Sequence, residues 1–159
     1  MNSELQNLVA KIQLSDDAHR AMRYAFGLAC AERVRQMLED DRAIQLLDIL
    51  KGYVEGRIDE TALAAAATEA AALANHHRGS TSIDGTKHSA VSATYAVANA
   101  LAGRALDAAD YAAYSTVYGY GSYAVNDPDS FAPEYAWQVA ALEQLLGEAP
   151  VVAVQDSTR

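Results

Sequence analysis

Cysteine occurs once in the 159 residues, at Cys30, which excludes an internal disulfide framework. Set between Ala29 and Ala31 in a helical stretch, that thiol reads as a small buried core group. Basic residues are scarce as well, with 12 Lys and Arg against 21 Asp and Glu. The net charge of −9 argues against nucleic-acid binding, because neutralising phosphates needs clustered cations. No apolar run is long enough to span a bilayer, since Thr68 and Glu69 interrupt the best one. The opening MNSELQNLVAKIQLSDD has polar and acidic residues where a secretion signal needs a continuous apolar stretch, so the expected location is the cytoplasm. No segment alternates polar and apolar residues long enough for a convincing strand, Val151 to Val154 being a short exception.

Reaction motifs are missing too. There is no HExxH, no Glu-x-x-His pair of the di-iron type and no GxSxG elbow. Gly119-Tyr-Gly-Ser122 lacks the lysine and the preceding strand of a phosphate loop. His76 and His77, with Glu69, Asp84 and His88 near them, raise the question of a metal. On a helix, however, His77 points about 100° away from the line joining Glu69 and His76. A polar helix end is the simpler reading, with histidine favourably meeting the helix dipole. The expectation is no metal, no cofactor and no catalytic residue, hence no enzyme.

What is present is alanine. The stretch Ala62 to Ala74, ALAAAATEAAALA, is repeated more loosely from Ala90 to Ala113. Alanine is the best helix former and leaves the helix surface bare enough for close packing. With 51% hydrophobic residues the chain is long and apolar enough to bury a real core. Leu5, Leu8, Val9 and Ile12 predict a first amphipathic helix, and Ser15 with Asp16 and Asp17 predicts the cap of a second that runs to about Glu39. A third carries Leu46, Leu47, Leu50 and Tyr53 and stops at Gly56. Asp59 caps the alanine helix, which reaches roughly His77; a loop covers 78–86 and a fifth helix covers Lys87 to Leu101. Gly103 and Asp107 mark a stop and a new start. The sixth helix bends or ends at Gly119 and Gly121, a turn-rich linker covers Asn126 to Pro133, and a last helix follows. The fold class is all-α: six or seven helices in a compact bundle or a short stack of antiparallel hairpins. One domain spans 1–146, followed by a loosely ordered tail at 147–159.

Function must then sit on the surface. Tyr111, Tyr114 and Tyr118 form a helical stripe, with Tyr120 and Tyr123 in the glycine-interrupted stretch beyond. Such a stripe more often fills a core opposite alanines; its alternative is recognition, since tyrosine concentrates at interface hot spots. Tyr118, Tyr120 and Tyr123 beside Asp127 and Asp129 are the first partner-binding candidates. Asp40 and Asp41, which read first as a solvated helix cap, are the second.

Cys30-Ala-Glu-Arg-Val34, then Asp40-Asp-Arg-Ala-Ile44, then Tyr53 before Gly56, resemble the Imm5-like family of bacterial immunity proteins. Long alanine-rich helices and a closing Trp137-Gln138 helix with Leu142, Leu145 and Leu146 extend the likeness from about Tyr24 to Leu146. The chain differs in lacking a proline after the Asp-Asp-Arg turn and in its tyrosines from 111 to 123. The resemblance implies a protein that neutralises a toxin domain by stoichiometric binding. An acidic body suits a basic partner of that kind. A second reading, a non-enzymatic helical interaction or scaffold module that self-associates as a homo-oligomer, fits the same composition.

Overall fold

The computed structural model describes residues 1–76 and 86–157. Among these described residues seven α-helices carry the fold: α1 (Ser3–Ile12), α2 (Arg20–Glu32), α3 (Asp41–Val54), α4 (Glu60–His76), α5 (Thr86–Leu101), α6 (Ala105–Tyr118) and α7 (Ala132–Ser157). Among the described residues there is no strand. The expected loop at 78–86 lies almost wholly outside them, as do His77 and Asp84.

Helix α5 is the centre of the bundle, packing against α6, α4, α2 and α3. Its side chains there are small: Ala93, Ala96 and Ala100 are buried, as are Ala105, Ala108, Ala109 and Ala112 on α6. Bare faces let the two axes come close. Two buried serines use that proximity, Ser89 Oγ donating to the Ser115 carbonyl at 2.7 Å and Ser115 Oγ to the Ser89 carbonyl at 2.8 Å. Gly27 brings α2 equally near, because a Cβ there would lie 3.3 Å from Ala100 Cα. The volume that alanine leaves is filled by Phe26, Leu46, Leu47, Leu50, Leu101 and Leu142, all fully buried. Cys30 is in the same core, and burial drives its thiol pKa far above the ordinary value.

Local chemistry explains most boundaries. Asn2 caps α1 by accepting from the Leu5 amide, and its Nδ2 reaches the Tyr135 carbonyl and Gln138 Oε1, both at 3.1 Å. Gln138 in turn donates to the Ala109 carbonyl at 2.7 Å, so buried amides tie α1, α7 and α6 together. Asp59 accepts from the Ala62 amide at 2.8 Å, as a cap of α4 should. Gly56 has φ +81°, the left-handed stop expected after α3.

Three expectations need correction. The second helix ends at Glu32, not near Glu39, and gives way to a 3₁₀ turn at Arg35–Met37. No proline or glycine breaks it; burial of Val34 and Leu38 in the shared core requires a change of direction. Ser15 is not its cap, since Asp16 precedes a 3₁₀ turn at Asp17–His19 that leads into α2. The sixth helix begins at Ala105, so Asp107 lies in its first turn, where a negative charge favours the helix dipole. At the other end α7 continues through Gly147 and Pro150 to Ser157.

Candidate functional site

Beyond the main core, Ala113, Val117, Ala124 and Phe131 form a smaller apolar cluster with Val125 and Tyr135 against it. It underlies the end of the molecule where α6 stops and α7 starts. Gly119 closes α6, its amide bonded to the carbonyls of Ser115 and Thr116. Gly121 follows with φ +127°, a backbone that L side chains rarely adopt. A Cβ at Gly121 would also meet the Tyr123 ring at 2.6 Å. This glycine therefore lets the chain reverse beneath an outward-facing aromatic. Two 3₁₀ turns, Ser122–Asn126 and Pro128–Ser130, then carry it to α7.

The tyrosines correct the core reading of their stripe. Tyr111 is 36% exposed, Tyr114 40%, Tyr120 53% and Tyr123 76%; Tyr118 is half-buried. The rings pack on one another across the surface. Tyr95 stacks on Tyr111 with centroids 5.0 Å apart, and His88 stacks on Tyr118 at the same distance. Tyr114 lies 6.3 Å from Tyr118 and meets Phe131 edge-on at 5.2 Å, and Phe131 is 5.5 Å from Tyr135. Such aromatic pairs hold geometry while leaving faces and hydroxyls available to a partner.

The acids divide by role. Asp127 accepts from the Asp129 amide at 3.1 Å and so caps the turn that Pro128 opens; Asp129 is exposed. Asp40 caps α3 by accepting from the Arg42 amide at 2.7 Å, and Asp41 is exposed in the first turn. Met37, three residues before Asp40, lies against the end of α6, where its Cε would be 3.2 Å from a Cβ at Gly119. Arg33 forms a two-pronged bond to the buried Glu134 (2.8 and 2.9 Å) with its guanidinium 4.3 Å over the Trp137 ring. That assembly pins α7 to the end of α2, and sequence spacing did not reveal it.

The residues considered for a metal are engaged separately. Glu69 is held by Arg42 through both Nε and Nη2. His76 Nδ1 lies 2.6 Å from the Ala72 carbonyl, and His88 is stacked on Tyr118. Among the described residues no three His, Cys, Asp or Glu side chains are grouped to hold an ion. Nor is any described helix long and apolar enough to cross a membrane.

Sequence reading also missed Asp110, which is half-buried beside this surface. Its spacing to Tyr114, four residues on a helix, was the available signal. No family model, curated protein or solved structure matches the chain.

Proposed function

We propose that this chain is a non-enzymatic binding protein of the immunity type, which neutralises a cognate bacterial toxin by stoichiometric occlusion. The observation that carries this reading is the exposed aromatic surface of Tyr114, Tyr120 and Tyr123 beside the acids Asp127 and Asp129. Exposed tyrosines on a rigid support are the residues from which interface hot spots are built. The net charge of −9 suits a basic toxin domain by accelerating encounter and disfavouring acidic competitors. The body behind the surface is packed with alanine and contains no polar side chain left buried and unbonded among the described residues. Such a body resists deformation, so little ordering free energy is lost on binding.

Co-expression with a toxin domain from the same organism tests the proposal. Rescue of growth, with recovery of a one-to-one complex, is the expected result. Toxicity undiminished by any such co-expression, together with a stable homodimer by static light scattering, would favour the scaffold reading instead. Substrate turnover by the isolated chain, abolished by one side-chain replacement, would overturn both.

A further inference from the structure

Arginine in this acidic chain is mostly neutralised. Arg20, Arg33, Arg35, Arg42 and Arg57 each form an ion pair with a carboxylate. Among the described arginines only Arg23 and Arg104 do not, although the chain carries 21 Asp and Glu. These two line one hollow of about 240 Å³ at the start of α6. At about 1.5 Å per residue, a 14-residue helix puts that hollow ~20 Å from Tyr118 at the other end.

Both guanidiniums are presented by backbone that is held in place. Arg23 Nη1 donates to the Leu14 carbonyl at 2.9 Å and the Asp16 carbonyl at 3.2 Å, which leaves its Nε and Nη2 without a bond among the described residues. Arg104 follows Gly103, whose φ is +75°. A Cβ at Gly103 would lie 2.9 Å from the hydroxyl oxygen of the buried Tyr24, so this turn is packed against the core. The Arg104 amide donates to the Asn99 carbonyl at 2.9 Å, while its guanidinium has no hydrogen bond among the described residues.

The rest of the wall selects among anions. Val9, Leu14 and Leu106 make it largely apolar, and Asp107 is the acid that lines it. Two positive charges against one negative leave a single excess positive charge, which matches a monoanion; Asp107 penalises a second negative charge on the ligand. The planar guanidinium fork suits a carboxylate, which it binds through paired N–H donors. The volume lies below the ~300–1,000 Å³ typical of drug-sized ligands, so the occupant is small. With a net charge of −9 the chain as a whole repels anions, and capture here depends on these two side chains.

We infer that this hollow binds a small aliphatic monocarboxylate, its carboxylate on Arg23 and Arg104 and its hydrocarbon part against Val9, Leu14 and Leu106. The site is separate from the tyrosine-bearing surface and does not depend on toxin binding.

Titration of the full chain with 4-methylpentanoate tests it, followed by NMR through the methyl groups of Val9, Leu14 and Leu106. The controls are 4-methylpentanamide, which keeps the hydrocarbon without the charge, and inorganic phosphate, which keeps charge without hydrocarbon. The carboxylate is expected to shift these methyls saturably, with a Kd of about 1 mM at low salt. The amide should bind at least about fivefold more weakly, and phosphate should leave the methyls in place. Arg104→Gln changes an exposed side chain that has no bond to lose, so the helical circular dichroism spectrum should be unchanged while the carboxylate binds about fivefold more weakly. Arg104→Lys, which keeps the charge without the fork, should fall between Arg104→Gln and the parent.

Equal binding of the amide, phosphate shifting the same methyls with comparable affinity, or shifts centred on Val125 at the other end of the molecule would each overturn the inference. So would the lack of saturation by about 20 mM, or an Arg104→Gln variant that binds as the parent does.

Discussion

The alanine-packed body around α5 and the tyrosine-bearing end of α6 use opposite ways of filling space. In the body, Ala93, Ala96, Ala100 and Ala108 are buried and backbones approach closely, so free energy comes from many small contacts and a few fully enclosed large residues. At the end, the rings of Tyr111, Tyr114, Tyr120 and Tyr123 remain partly in water, and the small cluster beneath holds four buried residues among those described. A region that buries its apolar surface gains stability from it; a region that keeps the surface exposed retains the capacity to bind. The difference teaches where each kind of substitution should act.

The largest effect should come from the body. Phe26→Ala removes a fully enclosed ring and is expected to cost about 3–5 kcal/mol in a urea unfolding curve. A loss under 1 kcal/mol would mean that the core collapses around the gap and that the body is looser than described. The converse test is Tyr123→Ala. Because that ring is mostly exposed, stability should change by no more than about 0.5 kcal/mol. Affinity for the proposed partner, measured by calorimetry on a complex recovered by co-expression, should fall by about 2 kcal/mol, roughly thirtyfold. Substantial destabilisation would show that the end is structural and dissolve the contrast.

How much of this was legible beforehand follows from the kind of interaction involved. The caps at Asp59 and Asp40 and the stop at Gly56 are local, so a few adjacent residues specify them. Burial of Cys30 followed from its alanine neighbours. The break after Glu32 was not legible, because Val34 and Leu38 are directed by distant residues and no local breaker marks the place. Exposure of the tyrosines was hidden for a related reason: a stripe with helical period identifies a face without saying what covers it. Asp40 and Asp127 were visible as acids, but their capping bonds show that only part of each carboxylate is available to a partner. Arg33, Glu134 and Trp137 meet across a hundred residues, a separation that periodicity does not bridge.

Asp129 gives a smaller and cleaner test of the surface, since unlike Asp127 its side chain is not the cap of the turn. Asp129→Lys should slow association with a basic partner several-fold at low salt, by stopped-flow, with the difference shrinking as salt is added. An unchanged rate would exclude this turn from the encounter surface.

The smallest effect concerns Asp110. Burial raises its folded pKa above the ordinary carboxylate value, so between the two values the native state binds more protons than the unfolded chain. Its contribution to stability therefore falls as pH rises through that window. Asp110→Asn should be slightly more stable than the parent at neutral pH, with the gap closing as both approach pH ~3, where the carboxyl is protonated in either state. Thermal unfolding of the pair across that range measures the difference directly, and a variant less stable at neutral pH would show that the carboxylate is favourably placed within the fold.

The reciprocal serines between α5 and α6 have one more consequence, a mechanical one. Each hydroxyl grips the opposite backbone, so sliding either helix by one residue breaks both links at once. His88 on Tyr118 and Tyr95 on Tyr111 are rungs of that same antiparallel ladder, one near the serines and one farther along. The concealed hydroxyls thereby act as a detent, holding the visible rings in step with one another.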